Sequence, residues 1–315
     1  MSAKLRIGTR KSPLALWQAD HVKGLLALRG YSCELVPIST AGDRILDRPL
    51  ALIGGKGLFV KELEEALASG RADLAVHSAK DVPYALPDGF DLCAILPRED
   101  PRDALVAPRS MRFADLPFGA RLGTSSLRRT TQLVAVRPDL RIVAVRGNVQ
   151  TRLARALEEL DAVILAHAGL RRLGLENHVT EVLPVELCLP AAGQGALAIE
   201  ARIGSRGEAA ARALHDPHTG VCVRAERAVL QRLSGGCTIP IAAFAIEELG
   251  SIWLRACIGG PRGARLLRAE IHGPASAAPE LGFEVAEQLL RAGAGPLLDA
   301  SRAVAPGLPA PLSIQ

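Results

Sequence analysis

The sequence predicts an α/β protein: its larger part is built on parallel sheets, and its end is a small α+β domain. Three observations carry this expectation. Short apolar runs repeatedly lead into turns rich in Gly, Ser, Thr and basic residues, and then into helical patterns. Two proline-containing stretches, residues 97–101 and 190–195, separate the α/β units. After Pro217 the texture changes to a helix, a hairpin pattern and a closing helix.

The elements follow in order. Residues 5–8 read as a strand, Thr9, Arg10 and Lys11 as a turn, Ser12 as an N-cap and Pro13 as the first helical residue. Leu14, Trp17, Val22, Leu25 and Leu28 give a helical apolar stripe that Gly30 ends. Strand 73–77 runs into Ser78, Lys80 and Asp81. Strand 121–123 runs into Thr124, Ser125 and Ser126, then a helix opening Leu127-Arg128-Arg129. Strand 141–145 runs into Arg146-Gly147-Asn148 and a helix carrying Arg152. Ligands of such sheets bind beyond the carboxyl ends of the strands, where these turns fall. In the last part, a helix over 221–233 precedes Gly235-Gly236-Cys237. Strands 252–258 and 265–271 flank a glycine-rich turn as in a hairpin, and a helix lies around 284–290. No internal sequence repeat is visible.

With 315 residues, 49% hydrophobic and 23% charged, the chain has the length and balance of two or three globular domains. Pro306, Pro309 and Pro311 mark a tail expected to be disordered. The net charge of +5, from 38 Lys+Arg against 33 Asp+Glu, points to anionic partners. Aromatics are only 3%, too few to stack on nucleic-acid bases, so an acidic small molecule fits better. No secretory signal opens the chain, and charges or prolines interrupt every apolar run short of a membrane span. Six scattered cysteines without a C-x-x-C pair suggest reduced thiols. Together these predict a cytoplasmic protein with no membrane partner.

Several groups could carry chemistry. Arg10, Lys11, Arg128, Arg129, Arg146 and Arg152 all lie in or just after turns at strand ends. Guanidinium forks beside helix N-termini make strong carboxylate or phosphate sites, and several such turns facing one cleft would hold a polyanion. Asp81 stands beside Lys80. By spacing alone a solvated ion pair is the simpler reading, and a proton shuttle or a stabiliser of positive charge the alternative. His77 has no partner at metal-ligand spacing, and His215-Asp216-Pro217-His218 reads as a surface linker. Cys33, Cys93, Cys188, Cys222 and Cys257 read as small buried hydrophobes. Cys237 differs: two glycines precede it and Pro240 follows, a loop that can open a thiol to a cleft and leaves a covalent role open. Nucleotide motifs fail, since Gly54-Gly55-Lys56-Gly57 lacks P-loop spacing and Gly193-Gln194-Gly195 lacks a third glycine.

Seven segments, in order, resemble the porphobilinogen deaminase family. They are Ile7-Gly8-Thr9-Arg10-Lys11-Ser12-Pro13-Leu14-Ala15, Gly54-Gly55-Lys56-Gly57-Leu58-Phe59 and His77-Ser78-Ala79-Lys80-Asp81-Val82-Pro83, then Gly123-Thr124-Ser125-Ser126-Leu127-Arg128-Arg129, Arg146-Gly147-Asn148, Gly193-Gln194-Gly195 and Gly235-Gly236-Cys237. The resemblance covers most of the chain and is weakest after about Ile246. It implies two α/β domains like the lobes of a type II periplasmic binding protein, plus the small C-terminal α+β domain. The implied boundaries are 1–96 with 196–215, then 97–195, then 216–315.

The resemblance also implies a dipyrromethane cofactor, held as a thioether on Cys237 and made from the enzyme's own substrate. On this primer four porphobilinogen molecules would be deaminated and joined head to tail, and hydrolysis would release hydroxymethylbilane. No metal and no nucleic acid are implied, and the chain is expected to be a monomer. Asp81 matches the catalytic carboxylate. Lys80, Ser126, Arg128, Arg129 and Arg146 match cofactor contacts, and Arg10, Ser12, Phe59, Arg146, Arg152 and Gln194 substrate contacts, with Phe59 on a lid-like loop. Leu52, Ala79 and Ala41 depart from common family residues, which bears on peripheral contacts and loop behaviour. The rival from another class is a non-catalytic anion-binding protein on the same two-lobed fold, usually exported, which would need neither Asp81 nor Cys237.

Overall fold

The computed structural model describes residues 4–40, 42, 60–233, 239–260 and 265–304. The chain enters as strand β1 (Leu5–Arg10), and the first helix, Pro13–Ala27, starts where Ser12 caps it, its Oγ accepting from Ala15 N–H at 3.4 Å with Pro13 in the first turn. β2 (Cys33–Ile38), helix Lys61–Ala68, β3 (Leu74–Ser78) and β4 (Phe90–Ile95) follow. The chain then passes to a second sheet through β5 (Asp103–Val106), β6 (Arg121–Gly123), β7 (Arg141–Val143), β8 (Ala162–Ala166) and β9 (Glu181–Val182). It returns to the first sheet as β10 (Leu197–Arg202).

The two sheets share one plan. Their strand orders are β2-β1-β3-β10-β4 and β7-β6-β8-β5-β9. In each, three strands run parallel, the fourth runs antiparallel to both neighbours, and that fourth strand is the one by which the chain arrives from the other sheet. The sheets are therefore mixed rather than wholly parallel. The parallel strands are those with their own strand–turn–helix unit, whereas β5 and β10 are entered from a crossing and arrive from the opposite direction. Sequence pattern does not show this duplication, because it lies in strand order and not in residue identity.

A third sheet, β11 (Ile241–Glu248), β12 (Ser251–Gly259) and β13 (Leu266–Pro274), is an antiparallel meander. β12 and β13 are the expected hairpin pair; β11, opening on the apolar run Ile241-Ala242-Ala243-Phe244, adds a third strand against β12. Helices Pro217–Arg232 and Ala278–Arg291 cover this sheet, and Val221, Ala225, Val229, Leu254, Val285 and Leu289 form its core. The latter helix is longer than residues 284–290 because Pro279 opens it in its first turn. Helix Ala294–Val304 follows. The two α/β sheets have cores of their own, one around Ile7, Val22, Leu74 and Ile199, the other around Leu105, Leu122, Leu133 and Ile164.

Two local expectations change. The core face of helix Pro13–Ala27 is Ala15, Gln18, Ala19, Val22 and Leu26, while Leu28 is 84% exposed. Alanines let the helix lie close on the sheet. Trp17 instead stacks on His21, with Arg172 from the second lobe over its ring at 5.9 Å. Residues 215–218 are not a linker. Asp216 caps helix Pro217–Arg232 by accepting from His218 and Thr219 N–H, and His215 Nδ1 accepts from Ile95 N–H of β4 at 3.1 Å.

Candidate active site

The turns beyond β1, β3, β6 and β7 carry the candidate residues. After β3 the chain makes a single 3-10 turn, Ala79–Asp81, which ends on the carboxylate. Asp81 and Arg10 line one narrow cavity of about 20 Å³ together with Gln18, His77 and Ser78. Gln18 Nε2 donates to Ser78 Oγ at 2.9 Å, and His77 Nε2 faces the buried Glu200 Oε2 at 2.9 Å, which fixes the wall behind Asp81. Ser126 and Asn148 cap the helices Leu127–Val136 and Val149–Glu158 and start the turns that hold Arg128, Arg129 and Arg152.

Arg128 and Arg129 are buried, at 5% and 6% exposure, and both engage Asp103, which is fully buried at the start of β5. Asp103 Oδ1 accepts from Arg129 Nε at 3.1 Å and Nη2 at 2.7 Å, and its Oδ2 lies 2.8 Å from Arg128 Nη2. Arg128 Nη1 also donates to Leu189 O, and Arg129 Nη1 to Ile164 O. Gln194 Nε2 donates to Asp103 Oδ1 at 2.9 Å, while its Oε1 accepts from Lys80 Nζ at 3.3 Å. Burial alone would raise the Asp103 pKa, but Arg128, Arg129 and Lys80 outweigh it and hold the carboxylate well below its usual range. Asp103 was missed by motif reading. The available signal was a lone acid opening the apolar run Ala104-Leu105-Val106-Ala107.

The network leaves cations in excess. Burial pulls the Lys80 pKa down to about 8; Arg129 and Arg128 add to that fall, and Asp81 and Asp103 oppose it. Burial likewise brings Arg152 down to about 10, with Arg129, Arg146 and Arg10 pushing the same way and Asp81 against. Arg10, Arg129, Arg146, Arg152, Lys80 and Asp81 therefore lie close enough to feel one another's charge. Arg152 Nε is anchored on Gly147 O at 2.9 Å. A cluster in which cations depress one another's pKa is stabilised by a bound polyanion, so this donor set fits a dipyrromethane with its acetate and propionate groups. Lys11 is exposed. Phe59 and Cys237 lie outside the described residues, as do Ala41 and Leu52. Burial pushes the thiols of Cys93, Cys222 and Cys257 up to about 11 and raises those of Cys188 and Cys33 as well, so none of these five is a ready thiolate. Cys33 is only half-buried, less than its sequence context suggested.

The segments that cross between the sheets close the back of the site. Glu99 N–H donates to Gly195 O at 3.2 Å, tying one crossing to the other. Gly193 has φ +73°, and a Cβ there would stand 2.9 Å from Ala79 Cβ, so glycine lets the second crossing lie against the Asp81 turn. Glu226, fully buried on helix Pro217–Arg232, binds both crossings: it accepts from Arg98 Nη1 at 2.8 Å, Arg98 Nη2 at 3.0 Å and Gly193 N–H at 2.7 Å. It also accepts from Ala245 N–H of β11 at 2.8 Å.

Fold and site together define a two-lobed α/β protein whose strand-end turns gather a cationic cluster around a carboxylate, with a small third unit fastened to the crossings between the lobes. Residues 5–209 match the family model described as porphobilinogen deaminase, dipyromethane cofactor binding domain, and residues 221–291 match the porphobilinogen deaminase C-terminal domain. A curated porphobilinogen deaminase of Geobacter metallireducens is 53% identical over 299 residues, covering 94% of each chain. The chain belongs to the porphobilinogen deaminase family. Among solved structures, similarity extends to a periplasmic substrate-binding protein of an ABC transporter from Coxiella burnetii, at TM-score 0.42 and 15% identity over 68% of this chain and 93% of that one. It also extends to the periplasmic aliphatic sulphonate binding protein SsuA from Escherichia coli, at TM-score 0.40 and 16% identity over 73% and 70%. No helix among the described residues is long and apolar enough to cross a membrane.

Proposed function

We infer that this protein is a transferase that deaminates four porphobilinogen molecules and joins them head to tail on a covalent dipyrromethane primer, releasing hydroxymethylbilane for tetrapyrrole and haem synthesis. The observation that carries this reading, beside family membership, is the cationic cluster of Arg10, Arg129, Arg146 and Arg152 around Asp81. Each pyrrole bears an acetate and a propionate, so the growing chain accumulates negative charge that this cluster accepts.

Bound through Cys237, a dipyrromethane would supply the pyrrole α-carbon as nucleophile, and the residues of the cleft would hold it there. Asp81 holds pyrrole N–H groups and stabilises the positive charge that develops on the substrate as its C–N bond breaks and ammonia leaves. The Asp81 carboxylate would also serve as a proton acceptor beside the reacting ring. Arg10, Arg146 and Arg152 pair with substrate carboxylates, while Lys80, Ser126, Arg128 and Arg129 hold the primer side of the cleft. Ser12 and Gln194 add polar contacts, and Phe59 is assigned a substrate contact by its match to the family motif. The working units are residues 1–96 with 196–215, residues 97–195, and residues 216–315 carrying the primer. The protein acts as a monomer in the cytoplasm.

Incubation of the purified protein with porphobilinogen tests this. Four ammonia molecules should appear per hydroxymethylbilane released. Tight binding of porphobilinogen without ammonia release would identify a binding protein and overturn the reading.

A further inference from the structure

Helix Pro217–Arg232 makes a second long-range grip one residue after Glu226. Arg227 projects from it to the segment that follows Asp81: Nη1 donates to Val82 O at 3.2 Å, and Nη2 donates to Pro83 O at 2.6 Å and Tyr84 O at 3.1 Å. Residues 82–84 belong to no strand or helix, and Pro83 has no N–H to offer a ladder. Three successive carbonyls are thus held by one guanidinium fork. Asp81 is the last residue of its 3-10 turn, and buried Val82 follows it, its N–H bonded back to Ala79 O at 3.3 Å. Where the fork fixes the carbonyl of Val82, it also fixes the direction in which Asp81 leaves the turn. The same helix runs on to Arg232, five residues before Cys237.

We propose that Arg227 is a positioning residue for the reaction: it clamps the backbone after Asp81 to helix Pro217–Arg232, so the carboxylate keeps a fixed direction at the strand-end turns. The proposal rests on the role given to Asp81 above. An interaction that only glued the third unit to the first could fall anywhere on their surfaces. This one falls on the residues next to the reacting carboxylate, with a donor geometry that a lysine ammonium, lacking the planar fork, reproduces only in part. Neighbouring Glu226 fixes the same helix to both crossings, so Arg227 acts from a point already anchored to them.

The test compares Arg227→Gln, Arg227→Lys and, as a control one turn away, the exposed Arg224→Gln in the full-length holoprotein. A misplaced catalytic group lowers the rate of the bound complex more than it weakens binding. For Arg227→Gln, kcat should therefore fall about tenfold to a hundredfold, while KM for porphobilinogen stays within about threefold. The covalent primer, read as intact mass, should be retained. Amide hydrogen exchange should quicken in the peptide spanning residues 79–86 and remain at the parent rate in β11–β13. Arg227→Lys should lie between Gln and parent in both readouts, and it carries the test if the Gln variant fails to fold. Arg224→Gln should match the parent. Unchanged exchange at 79–86, or loosening spread over the whole third unit, would overturn the proposal. So would a loss confined to KM. Near-normal turnover in Asp81→Asn would instead overturn the site reading, while the exchange measurement would still report on the clamp itself.

Discussion

Asp81 and Asp103 stand in one charged neighbourhood, and their partners give them different work. Asp103 is saturated by Arg128, Arg129 and Gln194, so it organises the site from beneath. Asp81 lines the cavity with Arg10 and faces the remaining cations. Asp81→Asn keeps the shape and removes the charge; turnover measured as ammonia release should fall roughly a hundredfold or more while thermal unfolding changes little. Asp103→Asn leaves two buried guanidinium groups without their counter-ion. It should cost about 3–5 kcal/mol of stability, read by denaturant unfolding, and an unchanged midpoint would contradict the hub. Arg146→Leu should impair elongation, whereas Arg291→Leu, whose side chain pairs with Glu284 of its own helix Ala278–Arg291, should leave activity near the parent value. Lys80 gives a pH test. Its cation is destabilised in the fold, so it loses its proton through about pH 8, below the range of an ordinary lysine. In primer-free Cys237→Ser protein, acylation of Lys80 should level off above about pH 8. A rate still climbing well beyond that pH would contradict the shift. Motif resemblance pointed to Asp81 and the arginines because they sit in local strings of residues. Asp103 escaped because Arg128, Arg129 and Gln194 lie 25 or more residues away, and only the folded chain brings them together.

Helix Pro217–Arg232 is the element on which the most distant parts converge: Glu226 takes both crossings and Arg227 takes the segment that follows Asp81. The crossings have tight steric requirements of their own. Gly195 has φ +88°, and a Cβ there would meet Glu99 O at 2.2 Å. Gly195→Ala should therefore separate the crossings and lower the thermal midpoint, through backbone strain that no side-chain adjustment relieves. At this scale sequence reading succeeded where chemistry is local: Ser12 caps the first helix as expected, and the helices expected after Ser126 and Asn148 present Arg128, Arg129 and Arg152. It failed where one helix serves two neighbours. Leu14 and Trp17 look like core residues of the first helix but lie toward the second lobe, near Gly169 and Arg172. The antiparallel course of β5 and β10 was equally hidden, since both strands are simple buried runs whose direction is set by the crossings.

Across the whole molecule, two sheets of one topology face a shared set of turns, and a third unit is pinned to the joint between them. Charge explains the arrangement: the described site holds more cations than carboxylates, and a covalently held polyanion would balance it and join the units. Primer-free protein should accordingly unfold at lower temperature than holoprotein, because a ligand bound only by the folded state adds to its stability. The alternation of strands and helices and the strand-end arginines were legible in the sequence; the duplication of strand order and the convergence on Glu226 were not, since both depend on contacts between distant segments. The claim that the protein carries its own primer on Cys237 is tested most directly by intact mass. The purified wild-type protein should be heavier than its sequence by two deaminated pyrrole units, on a peptide containing Cys237, with the added mass resistant to thiol reductants. An unmodified protein with full activity would contradict the account.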